Sequence, residues 1–496
     1  MKKVNKKEQT YERARCFSGQ TFSYLTKDQM IEMHRAALQI LQEVGSDVQH
    51  EGAREMLKKA GCRVEGERVY VTPGIVEWAI QQAPSTILVY NREGELAMNL
   101  SGRNAHFGIG SDCPNIYDRK TKTHRRYTTQ DVINTIRLAD ALPNIDFIMS
   151  SGLLYDYPGT DYEHQYAIML RNSVKPQVVV AADKPCLENI VEMAIAIRGS
   201  KEALVTKPLM VLYNEPTSPL IHTDTAIDKL IYCAEMQIPT NYAPAIMPGA
   251  TGPITNAGSM IQGDAELLLG LVIHQLTRPG APFVFGGAMC NMDMQSTQPT
   301  YSSPESIVCN SAFAQMGREL YGLPTWGDGG VGGGAMLPDE QAMNEATQFT
   351  FINGLAGTNI IHDLGYLNYG LTYCQELLVM QNEVVGQLRR IFDGIDMSEE
   401  SKAMPVIKKV GPGGHFLGQK HTKQHYKEMW LPQLQNRLEY TPWLKQGGKT
   451  MCEKAGEVVD EIIANYEPLP VAPEKDALIQ AVLDRVDKEA AEKEAK

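Results

Sequence analysis

Seven short runs rich in β-branched and aromatic residues, at 146–151, 177–182, 209–214, 240–245, 282–286, 325–328 and 359–363, alternate with segments of helical periodicity at 162–172, 186–198, 223–236, 257–276, 304–321, 339–355 and 373–392. A strand that returns through a helix to the next strand builds a parallel sheet with helices on its faces, so this repeat restricts the chain to the α/β class. With an eighth strand at 104–107, the count predicts a closed (β/α)8 TIM barrel; an open doubly wound sheet is the alternative. No Gly-x-Gly-x-x-Gly follows an early strand, which disfavours a dinucleotide site.

The repeat sets the domain organisation. Residues 1–100 read as an N-terminal α+β extension: a polar arm over 1–20, a helix from Thr26 to about Val44 stopped by Gly45, a helix over 52–60, a strand over 68–71 and a helix opened by Thr72-Pro73. Residues 101–395 form the barrel, which carries catalysis. Within them, 106–112 looks like a loop with chemistry in it, 117–122 a hairpin, and Thr128 the cap of a helix to about Leu142. Residues 396–496 form a C-terminal helical tail packed on the barrel, with helices expected over 421–437, 455–465 and 473–488.

A net charge of −12 makes duplex nucleic acid and anionic membranes poor partners and suits a cationic small molecule. The N-terminus has no apolar run behind its lysines, and no stretch reaches the length of a membrane span. Nine scattered cysteines with no Cys-x-x-Cys read as reduced thiols of a cytoplasmic protein and argue against a thiolate zinc site.

In a parallel barrel the chemistry sits at the carboxyl ends of the strands. Those ends carry Tyr213-Asn214-Glu215, then Met247 to Pro253, then Gly286-Gly287, then Trp326 and Asp328, and then His362-Asp363-Leu364-Gly365-Tyr366. Between Asp328 and the helix start at Pro338-Asp339-Glu340 lies a glycine-rich loop whose backbone can approach a ligand closely. Aromatic faces attract a quaternary ammonium by about 0.5–2 kcal/mol each without hydrogen bonds, and carboxylates add charge stabilisation. Trp326, Tyr213, Tyr366 and Phe107 are the candidate cage walls. Each is equally at home as core, and Asp at a strand end often caps a helix. His362 beside Asp363 reads as a hydrogen-bonded structural pair before a metal site. His421 and His425 lie one helical turn apart but lack the His-Glu-x-x-His pattern.

Several motifs together resemble the trimethylamine:corrinoid methyltransferase superfamily over about 26–465: Asn214-Glu215-Pro216-Thr217-Ser218-Pro219-Leu220; Gly249-Ala250-Thr251-Gly252-Pro253-Ile254-Thr255-Asn256-Ala257-Gly258 with Ala265-Glu266; Pro338-Asp339-Glu340-Gln341-Ala342; and the tail residues His421, His425, Glu428, Trp430 and Pro432. The resemblance implies a (β/α)8 barrel that moves a methyl group from an amine to the cobalt of a separate corrinoid protein. The trimethylamine enzymes carry pyrrolysine before the Asp-x-Gln-Ala run, near Gly334 to Met336 here; this chain has none. It therefore resembles the non-pyrrolysine branch, whose members demethylate glycine betaine, proline betaine, carnitine or γ-butyrobetaine.

The chemistry agrees with that loss. A quaternary nitrogen already carries full positive charge, so attack by Co(I) on one methyl expels a neutral amine without a general acid. The protein's task is positioning and water exclusion. On this reading Asp328, Glu215 and His362 are the catalytic candidates. Trp326, Tyr213, Phe107, Tyr366, Asp363, Gly333, Gly334 and Met336 hold the substrate, with glycine-loop amides nesting its carboxylate. No metal and no tightly bound cofactor is expected; the corrinoid (cobalamin) belongs to a cognate partner protein, and self-association is implied by the resemblance. The competing readings are a non-catalytic or regulatory betaine-binding barrel and a metal-dependent aldolase or hydrolase.

Overall fold

A computed structural model describes residues 22–331 and 333–494; the polar arm expected over 1–20 lies outside the described residues. Eight parallel segments close on themselves: β1 (His106–Ile109), β2 (147–148), β3 (Gln177–Val179), β4 (Met210–Leu212), β5 (Thr240–Asn241), β6 (Phe283–Val284), β7 (Trp326–Asp328) and β8 (Ile360–Leu364). β3 to β6 pair in order, Phe285 bridges to Thr325, β7 pairs with β8, and β8 returns to β1 with Ile361 opposite Phe107. Gly108–Phe147 and Ile148–Gln177 bridges complete the ring. The closed barrel is thus the fold, and the eighth strand lies at the chain position expected for it.

The strands are buried on both faces, as a parallel sheet wrapped by helices requires. Eight helices follow them: α1 (Thr129–Ala141), α2 (Asp161–Asn172), α3 (Lys184–Arg198), α4 (Asp224–Met236), α5 (Asn256–Thr277), α6 (Pro304–Gln315), α7 (Glu340–Ala356) and α8 (Gln375–Phe392). Their starts are encoded locally. Thr128 and Asp131 form a capping box, and Asp183, Thr223, Ser303 and Asp339 accept backbone N–H bonds at their own helix starts.

α5 is buried nearly all round, which an outer barrel helix normally is not. The N-terminal extension explains this. Its helix Lys27–Gln39, continued by a π turn to Val44, packs on α5 and joins Met30, Ala37 and Leu41 to Leu267, Leu271 and Phe285 in a second core. Its strands Ser46–Val48, Arg63–Glu65 and Arg68–Tyr70 take Ile221–His222, from the connection after β4, as the edge of their sheet. Gly45 turns the chain at φ +72°, where a Cβ would sit 2.7 Å from the Val69 carbonyl oxygen.

After α8, residues 396–449 form an exposed arm of short helices in which Leu434 is the buried apolar anchor. The Glu383 carboxylate accepts the N–H groups of Gln433, Leu434 and Gln435. The helix expected over 421–437 is shorter: it runs Lys420–His425 with a 3-10 turn Tyr426–Glu428. Pro432 has no N–H to donate and disfavours helical geometry at Leu431, so the turn cannot propagate. The chain then returns as α9 (Met451–Asn465), packed on α8 and α1, and α10 (Pro473–Glu494), packed on α3 and α2.

Candidate functional site

Strand periodicity decides which side chains reach the barrel interior. On β7, Gly327 faces Thr358 and Asn353 of the outer layer, which sends Trp326 and Asp328 inward. On β8, Ile361 packs outward over Gly329, which sends His362 inward. The same rule corrects one expectation. Phe107 is fully buried on the outer face of β1, in contact range of Gly354 in α7, and is not a cage wall. The interior positions on that stretch are glycines. A Cβ on Gly110 would lie 2.3 Å from Asp363 Oδ1 and 2.2 Å from the Tyr366 hydroxyl, so glycine leaves the room those groups occupy.

The inward residues form one connected cluster. The Trp326 and His362 rings lie 4.4 Å apart, Tyr213 and Trp326 5.5 Å, and Tyr213 and His362 6.2 Å. The Tyr213 hydroxyl donates to Glu215 Oε2 at 2.9 Å. His362 Nε2 is 2.8 Å from Asp328 Oδ1 and its Nδ1 2.5 Å from Asp363 Oδ1. Both are ion-pair approaches out of hydrogen-bonding alignment. Tyr366 donates to the Ser111 carbonyl and stands edge-on to Tyr373. Trp326 is fully buried, so it packs in the core whatever else it does.

Other expected residues lie elsewhere. Gly333 donates its N–H to Ser302 Oγ at 3.1 Å, and Gly334 faces Gln341 and Tyr369. Met336 is exposed, its carbonyl accepting from His124. In the same loop, a Cβ at Gly329 would strike Ile361 and one at Gly330 the Leu364 backbone. These glycines permit close packing on β8, and the Gly333 amide is already bonded, so it is not available to nest a substrate carboxylate.

Charge in the cluster is uneven. Burial opposes charging His362, but Asp363 and Asp328 outweigh it and raise its pKa to about 10. Burial raises Asp363, against the pull of His362 and with the repulsion of Asp328. Burial also raises Glu215, partly offset by the Tyr213 hydrogen bond and Lys229, and lifts Asp112 to about 6. Asp112, Tyr301 and Lys229 were not among the sequence candidates. Asp112 interacts electrostatically with Glu215, and Tyr301 with Asp328, Asp363 and Glu215. Asp112 ends the loop flagged at 106–112; Tyr301 carries no strand-end signal.

Asp328, His362 and Asp363 also offer ligand atoms all within 4.8 Å of one another. A metal here would have to displace the proton that Asp363 and Asp328 favour on His362, since only a neutral imidazole offers a lone pair. Without a metal, the cluster is an imidazolium between two carboxylates.

The acidic and aromatic residues thus cluster at the carboxyl end of a (β/α)8 barrel. Residues 2–491 match the family Trimethylamine methyltransferase (MTTB). The chain belongs to the trimethylamine methyltransferase family. It is similar to a glycine betaine methyltransferase of Desulfitobacterium hafniense (strain Y51), with 33% identity over 477 residues covering 95% of this chain and 98% of the relative. It is also similar to a trimethylamine methyltransferase of Desulfitobacterium hafniense (strain DSM 10664 / DCB-2), at 30% over 465 residues and 93% of each chain. A trimethylamine methyltransferase of Methanosarcina barkeri is 29% identical over 483 residues, 95% of this chain and 96% of the relative. This chain has no lysine between Asp328 and Asp339. No helix among the described residues is long and apolar enough to cross a membrane.

Proposed function

We propose that this methyltransferase takes a methyl group from a quaternary amine and delivers it to Co(I) of a cognate corrinoid protein. The observation that carries the reading is the meeting of Trp326 and Tyr213 with the carboxylates of Asp328, Asp363 and Glu215 in one buried cluster. Ring faces attract a cation that offers no N–H, and the carboxylates outnumber the one imidazolium among them. In the transfer the N–CH3 bond breaks and its electron pair stays on nitrogen, giving a neutral tertiary amine. Co(I) supplies the pair for the new Co–CH3 bond. No proton moves, so Asp328, Asp363 and Glu215 act by their field and His362 by holding two of them in place.

The corrinoid approaches from the mouth. Ile254 and Met294 are exposed on neighbouring loops there, meeting over Gly249, and give that partner an apolar landing rim. The enzyme itself holds no tight cofactor or metal on this reading, and works in the cytoplasm, where its unpaired thiols stay reduced. The arm at 396–449 supports self-association. Met397, Leu417, Met429, Leu431 and Tyr440 are each at least 65% exposed, and from 396 to 449 nine Lys and Arg face five Asp and Glu in a chain of net charge −12. A basic, apolar arm fits the acidic body of a second copy.

The test is consumption of cob(I)alamin by the purified protein over a panel of methylated amines, followed by loss of Co(I) absorbance. Quaternary amines are expected to be demethylated and trimethylamine to react poorly, since this chain has no pyrrolysine. Faster reaction with trimethylamine, or binding without any methyl transfer, would reject the proposal.

A further inference from the structure

Among the buried polar atoms without a hydrogen-bond partner in the described residues are the Trp326 indole Nε1 and Asp328 Oδ2; the two His362 ring nitrogens are also unbonded but each lies against a carboxylate, and Asp112 Oδ1 is open as well. The Trp326 and Asp328 side chains are nine-tenths or more buried, at 0% and 2% exposure. They stand two residues apart on β7 and enter the barrel on the same face. His362 touches both, with its ring 4.4 Å from the indole and its Nε2 2.8 Å from Asp328 Oδ1. Buried polar groups are nearly always paired, so an indole donor and a carboxylate acceptor left open on the same face of one strand ask for a ligand.

The chemistry of the pair selects the ligand. A trimethylammonium group has neither an N–H nor a lone pair and satisfies neither atom. A carboxylate accepts from the indole but cannot donate to Asp328, and it meets the field of Asp328, Asp363 and Glu215. A hydroxyl does both: its oxygen accepts from Nε1–H and its hydrogen is donated to Oδ2. Resting on the function proposed above, we infer that the substrate is a hydroxylated quaternary ammonium compound of choline type, its hydroxyl held between Trp326 Nε1 and Asp328 Oδ2. The trimethylammonium end then lies against the Tyr213 and Trp326 ring faces. Transfer of one methyl breaks a C–N bond, leaves the pair on nitrogen as a tertiary amino alcohol, and converts Co(I) to methyl-Co(III); the hydroxyl is unchanged.

The experiment compares binding of choline, propyltrimethylammonium and glycine betaine to the full-length protein by calorimetry, alongside cob(I)alamin consumption with each. Propyltrimethylammonium replaces the hydroxyl by a methyl of similar size. A site that hydrogen-bonds a substrate hydroxyl rejects the analogue lacking it strongly, so choline is expected to bind about a hundredfold tighter, with glycine betaine also weaker than choline. Trp326→Phe keeps a ring and deletes the donor; it is expected to shrink the choline preference to about threefold or less. Asp328→Asn removes the acceptor at constant size and is expected to do the same, which keeps the test alive if one variant fails to fold. Equal binding of choline and the propyl analogue, or an undiminished preference in both folded variants, overturns the inference. If all three compounds are nevertheless demethylated, the quaternary amine reading stands. If none binds or reacts, both fall.

Discussion

The barrel mouth and the arm at 396–449 place opposite kinds of side chain in opposite environments. In the mouth, Asp328, His362 and Asp363 are polar or charged and nearly inaccessible, and Trp326 has an unpaired donor in the dry interior. In the arm, Leu417 is 86% exposed and Tyr440 72%, with hydroxyl, amine and carboxylate groups free to meet water around them. Neither arrangement is what folding a lone chain would favour, since buried polar atoms forfeit hydration and exposed apolar ones forfeit burial. The difference separates a region built around buried charge from one built around exposed apolar surface. On the function proposed above, the mouth would hold polar groups apart for a small cation, and the arm would hold apolar groups out for a protein surface. Stability should therefore respond to changes in the first and barely to changes in the second.

The largest effect is expected from His362→Leu. It removes the one cation between Asp328 and Asp363 and leaves two buried carboxylates uncompensated, a change that destabilises by about 3–5 kcal/mol. Chemical denaturation should show it, and methyl transfer should be lost. The linked pH effect has a definite sign. The folded pKa of about 10 lies above the unfolded value near 6.5, so the stability His362 contributes is complete below about pH 6.5, declines as pH rises and is gone above about 10. The melting temperature of the wild type should fall across that window, and a His362→Gln variant should lose that part of the slope. An identical slope in the variant would move the titration to another group.

Trp326→Leu comes next. Because the indole is fully buried between Tyr213 and His362, the substitution leaves a cavity and is expected to destabilise by about 2–4 kcal/mol. It should also weaken quaternary amine binding about five- to thirtyfold through loss of the ring face. Affinity unchanged in the surviving folded protein would make the indole a packing residue alone.

The smallest change in stability is expected from Leu417→Ser, Leu431→Ser and Tyr440→Ser in the arm, each within about 0.5 kcal/mol for the monomer. Combined, they should shift the protein toward monomer in sedimentation at micromolar concentration. A large drop in monomer stability would mean that the arm packs on its own barrel, and an unchanged oligomer would place the interface elsewhere.

Much of this was legible in the chain. Alternation of short β-branched runs with helical periods gave the barrel, because a βα repeat has few ways to bury both faces of its strands. Thr128, Asp183 and Asp339 announced their helices, because capping is local chemistry. Trp326, Asp328, Tyr213, Glu215, His362 and Asp363 could be picked as strand-end residues. Phe107 was picked by the same logic and fails on parity: one residue along a strand reverses the face, and only the paired register fixes which face looks inward. The glycine loop misled for a related reason. Glycine admits close approach, and whether the approaching group is a ligand or a neighbouring strand depends on distant chain; here it is Ile361 and Leu364.

The sequence by itself determined the class of fold, the ring of strand-end residues and, through its absent lysine and its motifs, the branch of the family. These follow from periodicity, capping and composition, each confined to a few consecutive residues. Tertiary structure alone decided that His362 stands between Asp328 and Asp363, that Gly110 makes room for Asp363 and Tyr366, and that Trp326 Nε1 and Asp328 Oδ2 remain unpaired. Those facts depend on separate strands brought together, β7 with β8 and both with the end of β1, and their energies depend on burial that no single segment can provide.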